Sequence, residues 1–375
     1  MLAHVARTFL IDTDTASDDA VALIMALRAP DVRVAAITVV AGNVDLEQAT
    51  RNALYTVELC GADVPVFSGA EKPLLRTYQN ASWFHGGDGL GDHDYPAPRQ
   101  SAQKLHAVDA IIQTIDANPG LVLVTLGPLT NIALALSKCP DMVAKVSRCV
   151  IMGGAPCCEG NVTPAAEYNI WVDPEAARIV MRSGLPVELI GWQLCRADAV
   201  LRERDIEHVQ AFHNKLAHFA IECNGHARAA YKIQTGADGI CLPDPVAMCL
   251  ALDSTVGIDW SEHYVDVETQ SELTRGMTVV DRLNVVQDDR NRAVWTPALR
   301  GRKATCAGAS ITNAGKNRSS RHCDNDASAV HLSIGCASQE FSLPRTSQKL
   351  FPFHNYAASQ HNHIGHARDL NALEH

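Results

Sequence analysis

The sequence predicts an α/β fold with a mostly parallel central sheet and helices on both faces. Three observations carry that expectation. Apolar runs of strand length recur through the first half of the chain, most are followed by a stretch of helix formers, and the runs are continuous rather than alternating. Continuous apolar strands are covered on both faces, and strands alternating with helices pair in parallel.

In chain order, Phe9–Ile11 is a short apolar strand that stops at Asp12, and Ala20–Leu27 is rich in good helix formers. Val32–Ala41 is a nearly unbroken apolar strand ending in Gly42-Asn43, with a helix from about Asp45 to Cys60. Val64–Phe67 is a third strand. Leu121–Leu126 is a fourth, running into Gly127-Pro128 and the helical stretch Asn131–Lys138. Val146–Met152 is a fifth before the turn Gly153-Gly154, and Pro186–Ile190 a sixth after the helix Asp173–Ser183. Pro243 and Pro245 introduce the apolar helix Val246–Ala251. In open sheets of this kind ligands bind beyond the carboxyl ends of the strands. Asp12 to Asp19, Asn43, Leu126-Gly127 and the residues from Gly153 onward all follow a predicted strand, so they share one crevice.

The densest chemistry is at the first strand's exit. Asp12, Asp14, Asp18 and Asp19 place four carboxylates within eight residues. Like charges so close raise one another's pKa unless a cation or a donor network compensates. Helix capping accounts for Ser17 or Asp18 and Asp19, but it leaves Asp12 and Asp14 without a reason. An all-oxygen donor set favours a hard ion, Ca²⁺ or Mg²⁺. An EF-hand does not fit, because its glycine and terminal glutamate positions fall on Ser17 and Leu23.

Composition narrows the class. The net charge of −10 and pI near 5.9 argue against nonspecific nucleic-acid binding. No run is apolar and long enough to span a bilayer and the first strand follows no signal-like leader, so a cytoplasmic protein is expected. The twelve cysteines are scattered, mostly in apolar contexts, and read as buried reduced thiols; the adjacent Cys157 and Cys158 lie in a glycine-rich loop without zinc-site spacing.

Asn161–Ile170 carries Asn161, Glu167 and Asn169 with few charges around them, a set that can clasp sugar hydroxyls and that also occurs in surface turns. Leu74–Tyr95, with Trp83, His85 and a run of glycines, reads as a mobile loop at the rim of a site. Asp244 can cap the helix that follows it or supply another oxygen donor. From residue 301 the chain turns small, polar and aperiodic, and seven of its sixteen histidines lie beyond residue 320. Residues 1–300 are therefore expected to form the catalytic domain and residues 301–375 a weakly ordered tail.

Taken together, DTDTASDD at Asp12–Asp19, VVAGNV at Val39–Val44, GPLTNIALAL at Gly127–Leu136, VIMGGA at Val150–Ala155, GNVTPAAEYNIWVDPEAA at Gly160–Ala177 and LPDPVA at Leu242–Ala247 resemble the inosine-uridine-preferring nucleoside hydrolases. The resemblance implies a Rossmann-like open sheet and hydrolysis of a ribonucleoside to ribose and free base. It implies Ca²⁺ held by Asp14, Asp19, the backbone carbonyl of Leu126 and Asp244, with Asp12 orienting them. It also implies a Ca²⁺-bound water activated by Asp14 as general base. Asp18, Asn43, Asn161, Glu167 and Asn169 would contact the ribose, with Met152 beside it, in a homodimer or homotetramer. The position before the last metal aspartate, often His in this family, is Pro243, so protonation of the base falls to other groups. Trp83, His85, Trp192, His226 and Tyr231 are the candidates. Two alternatives follow from the residues: an impaired nucleoside-binding protein, suggested by Pro243 and the tail, and a Mg²⁺ phosphohydrolase, suggested by Asp-x-Asp after a first strand.

Overall fold

A computed structural model describes residues 6–196, 199–286, 292–296 and 298–299. The expected tail after residue 300 lies outside them. The framework is a nine-stranded sheet. Its strands are β1 (Arg7–Thr13), β2 (Val32–Val39), β3 (Val66–Ser68), β4 (Leu121–Thr125), β5 (Val146–Met152) and β6 (Val187–Ile190). The remaining three come late in the chain, and two small ribbons lie outside the sheet: β7 (Val200–Leu201) with β8 (Ile240–Cys241), and β9 (Gly257–Ile258) with β13 (Ala298–Leu299). The late sheet strands are β10 (Ser261–Val267), β11 (Thr278–Asp281) and β12 (Arg292–Trp295).

The spatial order is β11-β10-β12-β6-β5-β4-β1-β2-β3. From β12 to β3 every neighbouring pair is parallel, whereas β10 runs antiparallel to both β12 and β11. The mostly parallel sheet read from the sequence is therefore present, with an antiparallel edge the sequence reading did not include. Ser261–Val267, one strand in from the edge, mixes charged and apolar residues, so it lacks the continuous apolar signature of the centre.

Side-chain alternation along the central strands sorts two cores. Phe9, Ile11, Val122, Val124 and Val150 face one side, against α1 (Ser17–Arg28), α2 (Leu46–Leu59) and α11 (Pro243–Leu252). Leu10, Leu121, Leu123, Cys149 and Ile151 face the other, against α4 (Ala107–Ala117), α5 (Thr130–Lys138) and α7 (Pro174–Met181). Each fully buried Leu, Ile or Phe contributes roughly 1.5–3 kcal/mol. The site therefore stands on a sheet packed on both faces.

Five further α-helices lie among the described residues. Two of them, α3 (Ser82–His85) and α6 (Tyr168–Val172), are short; α8 (Glu203–Gln210) and α9 (Lys215–Glu222) precede α10 (Gly225–Thr235). The segment read as a mobile rim loop thus contains a helical turn, and it is pinned. The Tyr78 hydroxyl donates to the Gly42 carbonyl at 3.0 Å, Asn52 Nδ2 to the Asp88 carbonyl at 2.9 Å, and His85 and Leu90 are buried. Its glycines had hidden this, because Gly86, Gly89 and Gly91 adopt positive φ and break any period.

The described cysteines are free thiols and most are buried, as expected; Cys157 is exposed. No helix among the described residues is long and apolar enough to cross a membrane.

Candidate active site

The carboxyl ends of β1, β2, β4 and β5 lie along one edge, since Asp12 pairs in register with Thr38 and Thr125, and Thr125 with Ile151. Each strand there gives way to a polar or glycine-rich turn. That is why Asp14, Asn43, Leu126 and Gly153 meet.

Asp14 sits deepest. Its Oδ2 accepts the Asn43 backbone N–H at 2.7 Å, while its Oδ1 is buried with no hydrogen-bond partner among the described residues. Two glycines make room for it: a Cβ on Gly42 would lie 2.0 Å from Asp14 Oδ2, and one on Gly127 2.7 Å from Oδ1. Asp12 lies behind, its Oδ1 taking hydrogen bonds from Thr38 Oγ1 at 2.5 Å and Asn131 Nδ2 at 2.9 Å.

Asp18 and Asp19 occupy the first turn of α1, which has no side-chain cap because Ala16 fills the N-cap position. Asp19 takes over part of that work, accepting the Ala16 N–H at 2.9 Å and the Thr13 hydroxyl at 2.6 Å. Asp244 comes from the first turn of α11. Pro243 occupies one of that helix's first positions, where a missing N–H leaves nothing unsatisfied. Asp244 is thus not the cap of its helix. One carboxylate oxygen each of Asp18, Asp19 and Asp244 lie within 4.8 Å of one another.

The electrostatics follow from burial. Burial pushes Asp12 up to about 7 and Asp18 to about 6; Asp19 rises to about 6 through burial and the charge of Asp18. Asp14 and Asp244 lie well above the usual carboxylate range, first from burial and then from the charge of Asp19. Glu167, also buried, is pushed up to about 7 against three backbone donors that hold it down. Burial drives His85 the other way, down to about 4. Its approach to Asp18 at 3.8 Å is therefore that of a neutral imidazole, with Nδ1 2.9 Å from the Ser17 hydroxyl.

Above this floor opens a cavity of about 670 Å³, partly open to solvent. Asp18, Asn43, Leu126, Met152, Asn161, Glu167, Asn169 and Asp244 line it, so the strand-exit residues and the Asn161–Asn169 segment share one site. Local hydrogen bonds shape that segment. Glu167 caps α6, accepting from the N–H groups of Gly154, Asn169 and Ile170, while Asn161 Oδ1 accepts the Tyr168 N–H at 2.9 Å. Asn169 Nδ2 donates to the Leu126 carbonyl at 2.7 Å.

Of the aromatic and histidine candidates, Trp83, His85 and Trp192 line the cavity. The structure does not bring His226 or Tyr231 to it. His226 is half exposed with Nε2 3.6 Å from Asp92, and the Tyr231 side chain packs into the core beneath α10. The α10 residue that does reach the cavity is Gln234, one turn further on. Phe84, Val162, Tyr168 and Cys241 also line it without having been singled out in the sequence. For Tyr168 a signal existed, since it lies between Glu167 and Asn169; for Gln234 and Cys241 none did.

The acidic, glycine-backed site at the carboxyl edge of the parallel sheet thus faces a cavity lined by both amides and indoles. The family described as inosine-uridine preferring nucleoside hydrolase matches residues 9–303, and the chain belongs to that family. It is 39% identical over 291 residues to the pyrimidine-specific ribonucleoside hydrolase RihA of Shewanella sp. (strain MR-7), covering 77% of this chain and 91% of that protein. The solved purine-preferring ribonucleoside hydrolase from Gardnerella vaginalis is similar at a TM-score of 0.76 and 30% identity, covering 83% of this chain and 99% of that one. The plant nucleoside hydrolase PpNRh1 gives the same TM-score and coverage at 28% identity.

Proposed function

We propose that this chain hydrolyses the N-glycosidic bond of ribonucleosides to ribose and free base, with Ca²⁺ as its cation, in the cytoplasm and as a homodimer or homotetramer. The observation that carries the reading is the set of buried carboxylates of Asp14, Asp18, Asp19 and Asp244 beside an amide-lined cavity. The donor set fits a hard divalent ion: every group offers oxygen, Asp14 Oδ1 and Asp18 Oδ1 are buried without hydrogen-bond partners among the described residues, and the acids repel one another. Asp14, Asp19, Asp244 and the Leu126 carbonyl would hold it. Asp18 offers an oxygen within 4.8 Å of those of Asp19 and Asp244, and we assign it to the sugar on the strength of the family resemblance.

When bound, such an ion acidifies and orients a water molecule. Asp14, its Oδ1 buried and open to a further partner, would accept the proton of the water that attacks the anomeric carbon. Asp18, Asn43, Asn161, Glu167 and Asn169 fix the ribose hydroxyls, and Met152 packs beside the ring. The carboxylates stabilise the positive charge that develops on the sugar as the bond to the base breaks. Asp12, gripped by Thr38 and Asn131, steadies the end of β1. Pro243 cannot protonate the base. Trp83 and Trp192 would offer it stacking surfaces, and His85, a neutral imidazole at the cavity wall, could offer it a hydrogen bond rather than an acidic proton.

The test is ribose release from a panel of purine and pyrimidine ribonucleosides, with and without chelator, on the intact chain and on Asp14→Ala. Chelator-sensitive release that falls by about 10³-fold or more in Asp14→Ala is expected. The panel also ranks the bases, since similar proteins carry both purine and pyrimidine names. Saturable ribonucleoside binding without release would establish the impaired binder instead. The phosphohydrolase alternative has no place in a nucleoside hydrolase family.

A second expectation concerns pH. Without cation, the raised acids keep protons in the folded state that the unfolded chain has already released. Their contribution to stability is therefore fully present below the ordinary carboxylate range near 4 and is lost as pH rises through about 6. A cation replaces those protons. Saturating Ca²⁺ should raise Tm by about 5 °C at pH near 7.5 and by much less at pH near 5. Scanning fluorimetry at both pH values checks this, and equal shifts would contradict it.

A further inference from the structure

Two tyrosine hydroxyls converge on one backbone carbonyl. Tyr78 donates to the Gly42 oxygen at 3.0 Å and Tyr168 donates to the same oxygen at 2.7 Å. The other end of that peptide group is the Asn43 N–H, which donates to Asp14 Oδ2 at 2.7 Å. Phenol donors, amide and carboxylate thus form a continuous chain, at a turn where the missing Cβ of Gly42 lets the amide lie against Asp14. Donors on a carbonyl polarise its amide and strengthen the N–H on the far side, by about a tenth to a third per bond.

We infer that Tyr78 and Tyr168 are positioning residues for Asp14, acting through the Gly42–Asn43 peptide group. The inference rests on the reading of Asp14 given above and adds residues to it. The two phenols do not have identical tasks. Tyr78 belongs to the rim segment, and its hydroxyl donates to the Gly42 carbonyl. Tyr168 sits between the sugar-facing Glu167 and Asn169, and its oxygen also lies 2.8 Å from the Gln79 carbonyl, so its one proton is shared between two acceptors. Tyr168 therefore ties three parts of the site together: the amide clamp, the turn that holds Asp14, and the rim segment leading to Trp83 and His85. The negative charge of Asp14 is felt by both phenols, whose pKa values are raised first by burial and then by that charge.

The physical consequence is a fixed carboxylate. With Oδ2 gripped by a polarised N–H, Asp14 presents Oδ1 in one orientation, as a base or a cation donor requires. Removing one hydroxyl leaves the other on the carbonyl; removing both leaves the amide unpolarised. The pair should accordingly be more than additive in loss.

The experiment compares the intact chain with Tyr78→Phe, Tyr168→Phe and the double variant, measuring Ca²⁺ affinity by calorimetry, kcat, KM for a ribonucleoside the intact chain turns over, and Tm. Each single change is expected to weaken Ca²⁺ binding and lower kcat by about fivefold, and the double variant by about 100-fold or more. Tyr168→Phe alone should also raise KM, because its hydroxyl ties the segment carrying Glu167 and Asn169 to the Gly42 and Gln79 carbonyls. A purely structural role would lower Tm while Ca²⁺ affinity and kcat stay at the level of the intact chain, and that result overturns the inference. Loss confined to KM in both variants overturns it too. If the intact chain itself neither binds Ca²⁺ nor releases ribose, the proposed function falls and this inference falls with it, whereas an active intact chain with unaffected variants removes the tyrosine assignment alone.

Discussion

Gly42→Ala is expected to lower kcat/KM by at least about 10²-fold while the chain still folds. The added Cβ would stand 2.0 Å from Asp14 Oδ2 and 2.7 Å from its Cβ and Cγ, far inside contact distance. Asp14 has no easy retreat. Gly127 closes the other side, where the Asp14 backbone N and Cγ already lie 2.9 Å from an ideal Cβ, and rotation of the carboxylate gives up the Asn43 N–H. The overpacking costs about 1–3 kcal/mol, so Tm falls by several degrees, but the larger loss is in geometry. Gly225→Ala provides the contrast. It begins α10 with nothing within 4 Å of its ideal Cβ, and replacing it should leave activity intact and stability equal or slightly higher. Steady-state kinetics and melting curves on both variants decide the matter; a Gly42→Ala protein within threefold of the intact chain would show that Asp14 is not held as described.

This pair of glycines illustrates what the sequence could and could not show. Gly42 and Gly127 are legible as turns because each follows a continuous apolar run, and the same logic locates Asn43, Leu126 and Gly153 at one edge. That the two glycines face each other across Asp14 is a tertiary fact with no trace in spacing. The central strands were readable because burial on both faces demands unbroken apolar runs, whereas β10 was not, since this half-buried strand beside the sheet's edge carries Glu262, His263 and Asp266. Helix α8 is short and rich in charge, and its apolar positions are too few to stand out before packing is known. Within the site, residues belonging to a dense motif were legible, Asp14 and Asn169 among them. Gln234 and Cys241 reach the cavity only because α10 and β8 fold back over it. Tyr231 shows the converse: one helical turn from Gln234, an aromatic residue was drawn into the core.

Glu167→Ala should produce the second large effect, and it should act on the sugar clamp and the cation site together. The buried Glu167 carboxylate accepts the N–H groups of Gly154 at 2.7 Å, Asn169 at 2.9 Å and Ile170 at 3.3 Å. Alanine strands three donors in a buried site, each costing about 1–3 kcal/mol before relaxation, so a net loss of about 3 kcal/mol and a Tm lower by roughly 5–10 °C are expected. The disturbance does not stay local. Asn169 begins the same helix and its amide donates to the Leu126 carbonyl, so loosening α6 releases both a sugar contact and the carbonyl offered to the cation. We expect kcat/KM to fall by about 10³-fold and Ca²⁺ affinity to weaken measurably. Glu167→Gln separates structure from charge. Its single acceptor oxygen, placed where Oε2 stands, keeps the Gly154 and Ile170 bonds and sets an amide against the Asn169 N–H, so most of the lost Tm returns. Activity does not return with it, because a neutral amide contributes no negative charge beside a sugar that becomes positive as the base departs. Melting curves and kcat/KM for the two variants side by side test this, and a Gln variant that recovers Tm and activity equally would assign Glu167 to architecture alone.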